Sequence, residues 1–209
     1  MDAIEQYYSI WLPSLTERKP LIDTLEEKLN KKINIFHAID GKEHFQDYIN
    51  HRHILAGQKV TPGMIGCLLS HVEILKTSPY NMYAIFEDDC EFVGNKEELY
   101  KFCSDISGFD ILCLSTSENV DCVPTRNPSI LKITRFWGAH AIVITKKAAL
   151  AVLETFDSYN KDNLALPGDW LYSYAIKRHN LIAYGPSLAN KFFKQKSGLV
   201  STYNGAIRK

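Results

Sequence analysis

Short apolar runs alternate along this chain with longer stretches in which apolar residues recur every third or fourth position, the two periodicities that separate strands from amphipathic helices. Tyr7–Leu12 reads as a first strand stopped by Pro13, and Glu17–Lys31 as a helix carrying Leu21, Ile22, Leu25 and Leu29 on one face. Ile33–Ile39 reads as a second strand, punctuated by Asp40-Gly41. Lys42–Lys59 is polar and without a clean period, so a short helix and a loop are expected there. Thr61-Pro62 is a start signal: the threonine caps, and proline takes the first helical position, where its missing N–H costs nothing. Ile65, Leu68, Leu69, Val72 and Leu75 continue that helix as an apolar stripe, with Pro79 beyond its end. Met82–Phe86 follows as a central strand and Lys96–Cys103 as a short helix, with Phe109–Leu114 as the next strand. Ser115–Lys132 is polar and turn-rich and predicts a long mobile loop. Gly138–Ile144 returns to strand, and Thr145 caps a helix bearing Ala148, Ala149, Val152 and Leu153. Asp169 is expected to N-cap a helix over Trp170–Arg178, before a late strand over Leu181–Tyr184. The alternation predicts one α/β domain over residues 1–209, a sandwich around a central, mostly parallel sheet.

Chemistry concentrates where the central strand ends. The apolar run Tyr83–Phe86 leads directly into Glu87, Asp88 and Asp89, and open α/β sheets gather ligands at such strand ends. Three adjacent anions repel one another unless a positive group, usually a metal ion, offsets them. Composition narrows the partners. Lys plus Arg equals Asp plus Glu at 24 each, which argues against a nucleic-acid partner held by a broad basic surface. The five cysteines include no CxxC pair, and Cys67, Cys103 and Cys113 lie in apolar periodic stretches, so the spacing argues for core thiols in a reducing compartment and against structural zinc. No leader-like N-terminus and no apolar stretch of the roughly 20 residues needed to cross a bilayer is visible, so a cytoplasmic location is expected. Neither a GxGxxG nor a GxxxxGK[ST] phosphate loop occurs.

GMIGCLLSHVEILK (Gly63–Lys76), followed closely by YAIFEDD (Tyr83–Asp89), resembles the signature of glycosyltransferase family 25, which includes lipopolysaccharide and collagen galactosyltransferases. FHAIDG (Phe36–Gly41), DILCLS (Asp110–Ser115), WGAHAIVITKKAA (Trp137–Ala149), GDW (Gly168–Trp170) and QKSGLVST (Gln195–Thr202) fall in the family's order. Two departures stand out: Trp11 occupies a position where the family often has Asn, and an arginine-rich opening is reduced to Arg18.

The resemblance implies a GT-A nucleotide-sugar fold and inverting transfer of a hexose, with galactose from a UDP-sugar as the family default, to a hydroxyl of a glycan or protein acceptor. Its acidic motif maps onto Glu87-Asp88-Asp89. It implies Asp89 as the leading ligand of Mn²⁺ or Mg²⁺, with Glu87 in support; the strand alternation turns Asp88 to the opposite face. Asp169 is expected as the general base, with Trp170 as a face on which a sugar stacks. His71, Glu87, Asp88, Arg18, Lys196 and Ser197 are candidate contacts to the nucleoside diphosphate sugar. Two other readings remain open at this stage: a catalytically degenerate glycan-binding or scaffold domain, and a metal-dependent phosphoesterase.

Overall fold

A computed structural model describes residues 3–50, 52–54, 60–115, 121–135, 138–165, 168–187, 189 and 191–199. Trp137, Pro167 and the end of the QKSGLVST match, from Val200 on, lie outside the described residues, as do the basic Arg208 and Lys209.

In chain order the elements are β1 (Gln6–Trp11), a 3-10 turn (Thr16–Arg18), α1 (Lys19–Leu29), β2 (Asn34–His37), α2 (Gly41–Asn50), β3 (His53–Ile54), α3 (Pro62–Thr77), β4 (Met82–Glu87), β5 (Cys90–Phe92) and α4 (Lys96–Asp105). They continue with β6 (Ile111–Cys113), β7 (Asp121–Pro124), β8 (Ile130–Arg135), β9 (Ala141–Thr145), α5 (Lys146–Lys161), β10 (Leu164–Ala165), α6 (Gly168–His179), β11 (Ala183–Pro186) and β12 (Phe193–Gln195). The main sheet runs β2-β1-β4-β9-β6-β11-β8-β7. Its pairings are parallel at β1/β2, β1/β4 and β6/β11 and antiparallel on both sides of β9 and of β8. All strands but β9 and β8 therefore point the same way, and the sheet is mostly parallel in direction.

Alternation along β4 divides the core in two. Tyr83 and Ile85 face α3, α5 and α6, packing with Ile65, Leu68, Val72, Val152, Leu171 and Tyr172. Ala84 and Phe86 face the other way, onto Ile22, Leu25, Leu29, Leu99 and Phe193. Both faces of β4 are fully buried, which is why this strand reads as a continuous apolar run.

The expected caps form: Thr61 accepts from Met64 N–H at 3.4 Å, and Thr145 from Ala148 N–H at 3.3 Å. Gly66 has a packing reason. A Cβ there would lie 2.6 Å from the Ile39 carbonyl oxygen and 2.8 Å from Gly41 N, so α3 presses against the turn after β2. Ser70 ties the same contact, donating to the Gly66 carbonyl at 2.6 Å and accepting from Ile39 N–H at 2.9 Å.

Two expectations are corrected. Within the stretch expected as a loop up to Lys132, β7 and β8 form an antiparallel hairpin at the sheet edge. Its sequence hides it because β7, at the edge, is short and largely exposed, with Val123 52% exposed, while β8 buries only Ile130 and Ile133, one on each face of the sheet. Asp169 lies inside the first turn of α6, which already starts at Gly168, and is not its N-cap. The sequence pattern also gave no sign of β12, which pairs antiparallel with β5 beyond the acidic cluster.

Candidate active site

The alternation that splits the core also separates the three acids. Glu87 continues the Tyr83/Ile85 side of β4 and meets α3; Asp88 turns to the side of β1 and the start of α1. The Glu87 carboxylate accepts from the Cys67 thiol at 3.5 Å and lies 3.7 Å from His71 Nε2. Its backbone N–H donates to the His140 carbonyl at 3.0 Å, which fixes the end of β4 against the entry to β9. Burial raises the Glu87 pKa, but the neighbouring His71, His140 and Cys67 outweigh it and hold the group at about 2.

Asp88 is buried and accepts from Arg18 Nη1 at 2.5 Å and from Leu12 N–H at 3.3 Å. Arg18 is itself only 3% exposed, and the same Nη1 lies 3.6 Å from Asp89 Oδ2. The thinned arginine motif thus supplies a buried cation between two of the acids. Burial pushes the Asp88 carboxyl up, against the pull of Arg18.

Asp89 is 2% exposed, in the tight turn between β4 and β5. Its carbonyl accepts from Lys196 N–H at 2.7 Å, so the segment after β12 lies along the acidic turn. Lys196 Nζ goes to Glu91 Oε1 at 2.9 Å, and Lys194 Nζ lies 3.4 Å from Glu91 Oε2. Ser197 is exposed in the turn that follows.

Asp169 reaches the same end of the sheet from α6. Its Oδ1 accepts from Trp170 N–H at 3.0 Å and its Oδ2 from Gly138 N–H at 3.3 Å, just before β9. Burial raises its pKa; the two N–H donors counter this in part, and the charge of Glu87 adds to the rise. Trp170 packs at 6.1 Å from the Tyr174 ring, and Tyr174 at 5.2 Å from Tyr159.

Glu87, Asp88, Asp89, Arg18, His71, Lys196 and Asp169 therefore converge at the carboxyl ends of β1 and β4, with Glu91 and His140 beside them. The acids do not form one hard-oxygen cage: Asp88 is bound to Arg18 and Glu87 faces Cys67 and His71. The set fits Mn²⁺ or Mg²⁺ in the mode where one carboxylate, here Asp89, is joined by substrate phosphates and water. Cys67 and Tyr172 were missed as site residues. Tyr172 OH lies 2.9 Å from His71 Nδ1, and Cys67 stands one helical turn before His71. That spacing was visible in the sequence, but both residues also satisfy the apolar pattern of a core helix.

Among the described residues no helix is long and apolar enough to cross a membrane. Among solved structures, A197 from STIV is 12% identical, with 94% of this chain and 95% of that one covered at a TM-score of 0.45. Mouse xyloside xylosyltransferase 1 is 12% identical over 84% of this chain and 69% of its own (TM-score 0.42). The glycosyltransferase GlyE of Streptococcus pneumoniae TIGR4 is 10% identical over 85% and 44% (TM-score 0.47). No curated protein matches the chain. The sequence profile of glycosyltransferase family 25 (LPS biosynthesis protein) matches residues 4–171, which span α3, the acidic turn and the start of α6, and the chain belongs to that family.

Proposed function

We propose that this glycosyltransferase moves a hexose from a nucleoside diphosphate sugar, by default UDP-galactose, to a hydroxyl of a glycan or protein acceptor, with inversion. The observation that carries the reading is the gathering of carboxylates at one rim of the sheet: Asp89 in the turn after β4, and Asp169 on α6, hydrogen-bonded to Gly138 before β9 and close enough to Glu87 to feel its charge.

Asp89 is the residue offered to a divalent ion, with Arg18 beside it and the backbone of Lys196 closing the turn. A bound Mn²⁺ or Mg²⁺ supplies charge neutralisation for the departing diphosphate. Arg18 is set by Asp88 and contributes a fixed positive charge to the same region, where developing negative charge is stabilised without reorganisation. Lys196 and Ser197 lie on the segment over the acidic turn and are assigned to the donor's phosphates, Lys196 exchanging Glu91 for them. Asp169 accepts the proton of the acceptor hydroxyl. Its two N–H donors hold the carboxylate in place, and its raised pKa makes it a stronger base than a solvated aspartate. Trp170, next in the chain, offers the acceptor sugar an apolar face.

A nucleotide-sugar screen for transfer and donor hydrolysis tests the reading, coupled to Asp169→Asn. The variant is expected to bind donor as the wild type does and to lose transfer by about 10²-fold or more. Undiminished transfer would remove Asp169 from the mechanism, and turnover of phosphate esters in place of sugar donors would favour a phosphoesterase.

A further inference from the structure

A set of potential ligands stands on the α3 side of β4: Glu87 and His71, expected from the sequence as donor contacts, are joined there by Cys67, to which the transfer reading gives no role. Cys67 and His71 are one helical turn apart on α3, and Glu87 closes the set from the end of β4. Cys67 Sγ, His71 Nε2 and a Glu87 carboxylate oxygen all lie within 4.8 Å of one another. Two edges of this triangle are short: Sγ to Oε1 is 3.5 Å and Nε2 to Oε1 is 3.7 Å. Tetrahedral zinc, with bonds of about 2.3 Å to sulfur and about 2.0–2.2 Å to nitrogen and oxygen, sets such edges at about 3.4–3.6 Å. The third edge, from Sγ to Nε2, is within 4.8 Å.

The histidine supplies an independent observation. It is 1% exposed, and its Nε2 faces the Glu87 carboxylate at 3.7 Å, too long for a hydrogen bond of normal length. A buried ring nitrogen held this way leaves room for an ion between the two groups. Its other nitrogen, Nδ1, is 2.9 Å from Tyr172 OH, and ring contact with Tyr172 further fixes the imidazole. With the Nδ1 proton donated to the tyrosine oxygen, Nε2 is the ring atom turned to the triangle, and a bound ion would take the place of the proton that otherwise faces Glu87; such a bond from the far ring nitrogen is what orients histidine ligands. Cys67 and Glu87 are only half-buried, so an ion has a way in.

We infer that Cys67, His71 and Glu87 form a binding site for a thiolate-accepting divalent transition ion of the Zn²⁺ class, separate from the hard-ion position at Asp89. Thiolate with imidazole selects such ions over Mg²⁺ or Mn²⁺. Three protein ligands leave a fourth position for water or a substrate oxygen, and Glu87 joins this site to the acidic turn through the chain itself. The inference stands on the geometry of α3 and β4 and does not depend on the transfer reading.

Zn²⁺ binding to the full chain, followed by competition with a chromogenic chelator, and Co²⁺ binding, followed by its thiolate charge-transfer absorption, test it. The wild type is expected to take up about one ion per chain and to show the thiolate band with Co²⁺. Cys67→Ser is expected to abolish the band, Tyr172→Phe to weaken Zn²⁺ binding about tenfold or more, and Asp89→Asn and Cys122→Ser to leave both signals in place. Absence of the band in the wild type overturns the site, as does its survival in Cys67→Ser. Loss of the band in Asp89→Asn would show a single shared ion and overturn the separation.

Discussion

At the scale of single residues the acidic cluster divides its labour, and each part has its own readout. Arg18 and Asp88 form a buried ion pair, and Arg18 also lies 3.6 Å from Asp89, so truncating Asp88 removes the nearer of two carboxylates from a buried guanidinium. Asp88→Ala is expected to destabilise the fold by about 3 kcal/mol, and Arg18→Met, which takes the cation from both acids, by at least as much, as measured by urea unfolding of both variants. Asp169 and Glu87 predict a pH profile. Glu87, held at about 2, stays ionised through the working range, whereas burial lifts Asp169 above the ordinary aspartate value. A base must be deprotonated, so transfer falls as pH drops through the raised Asp169 value, and kcat/KM against pH is expected to show this acid limb above the ordinary aspartate value. A limb at or below the ordinary aspartate value would separate Asp169 from the proton transfer. Much of this was legible: acids after an apolar run, an Asp-Trp pair at a helix start, a histidine on an apolar helix. The partner of each acid was hidden, because Arg18 reaches Asp88 across the 70 residues of separation in sequence that only folding closes.

At the scale of elements, α3 is the platform. Its start was readable from Thr61-Pro62 and its apolar stripe, since capping and periodicity are local properties. What lay outside local pattern was its contact with the turn after β2, where Gly66 allows backbone to meet backbone. Helix propensity alone would have Gly66→Ala stabilise α3 by about 1 kcal/mol. The contact predicts the reverse, a loss of about 2 kcal/mol or more, because neither the Ile39 carbonyl nor Gly41 can yield as a flexible side chain would. Thermal unfolding of Gly66→Ala decides between the two signs. β5, β7 and β12 escaped pattern reading for a related reason: three or four residues carry too few alternations to register, and the pairing of β5 with β12 joins segments about 100 residues apart in sequence.

At the scale of the whole molecule, one sheet with most strands in one direction brings the ends of β1 and β4 to a common rim, and α6 adds Asp169 there. The strand and helix alternation sufficed to anticipate this layered architecture; the antiparallel insertion of β9 between β4 and β6 did not follow from it, since a strand's direction depends on the path of its connection. That insertion has a consequence for the site, because it carries Gly138 and His140 back to the rim where they meet Asp169 and Glu87. Donor anchoring at this rim is the central claim. Calorimetric titration of UDP into wild type and Asp89→Ala, each with and without Mn²⁺, tests it most directly. The wild type is expected to bind UDP at least about tenfold more tightly with Mn²⁺, and folded Asp89→Ala to lose that enhancement; an equal affinity in all four titrations would contradict the claim.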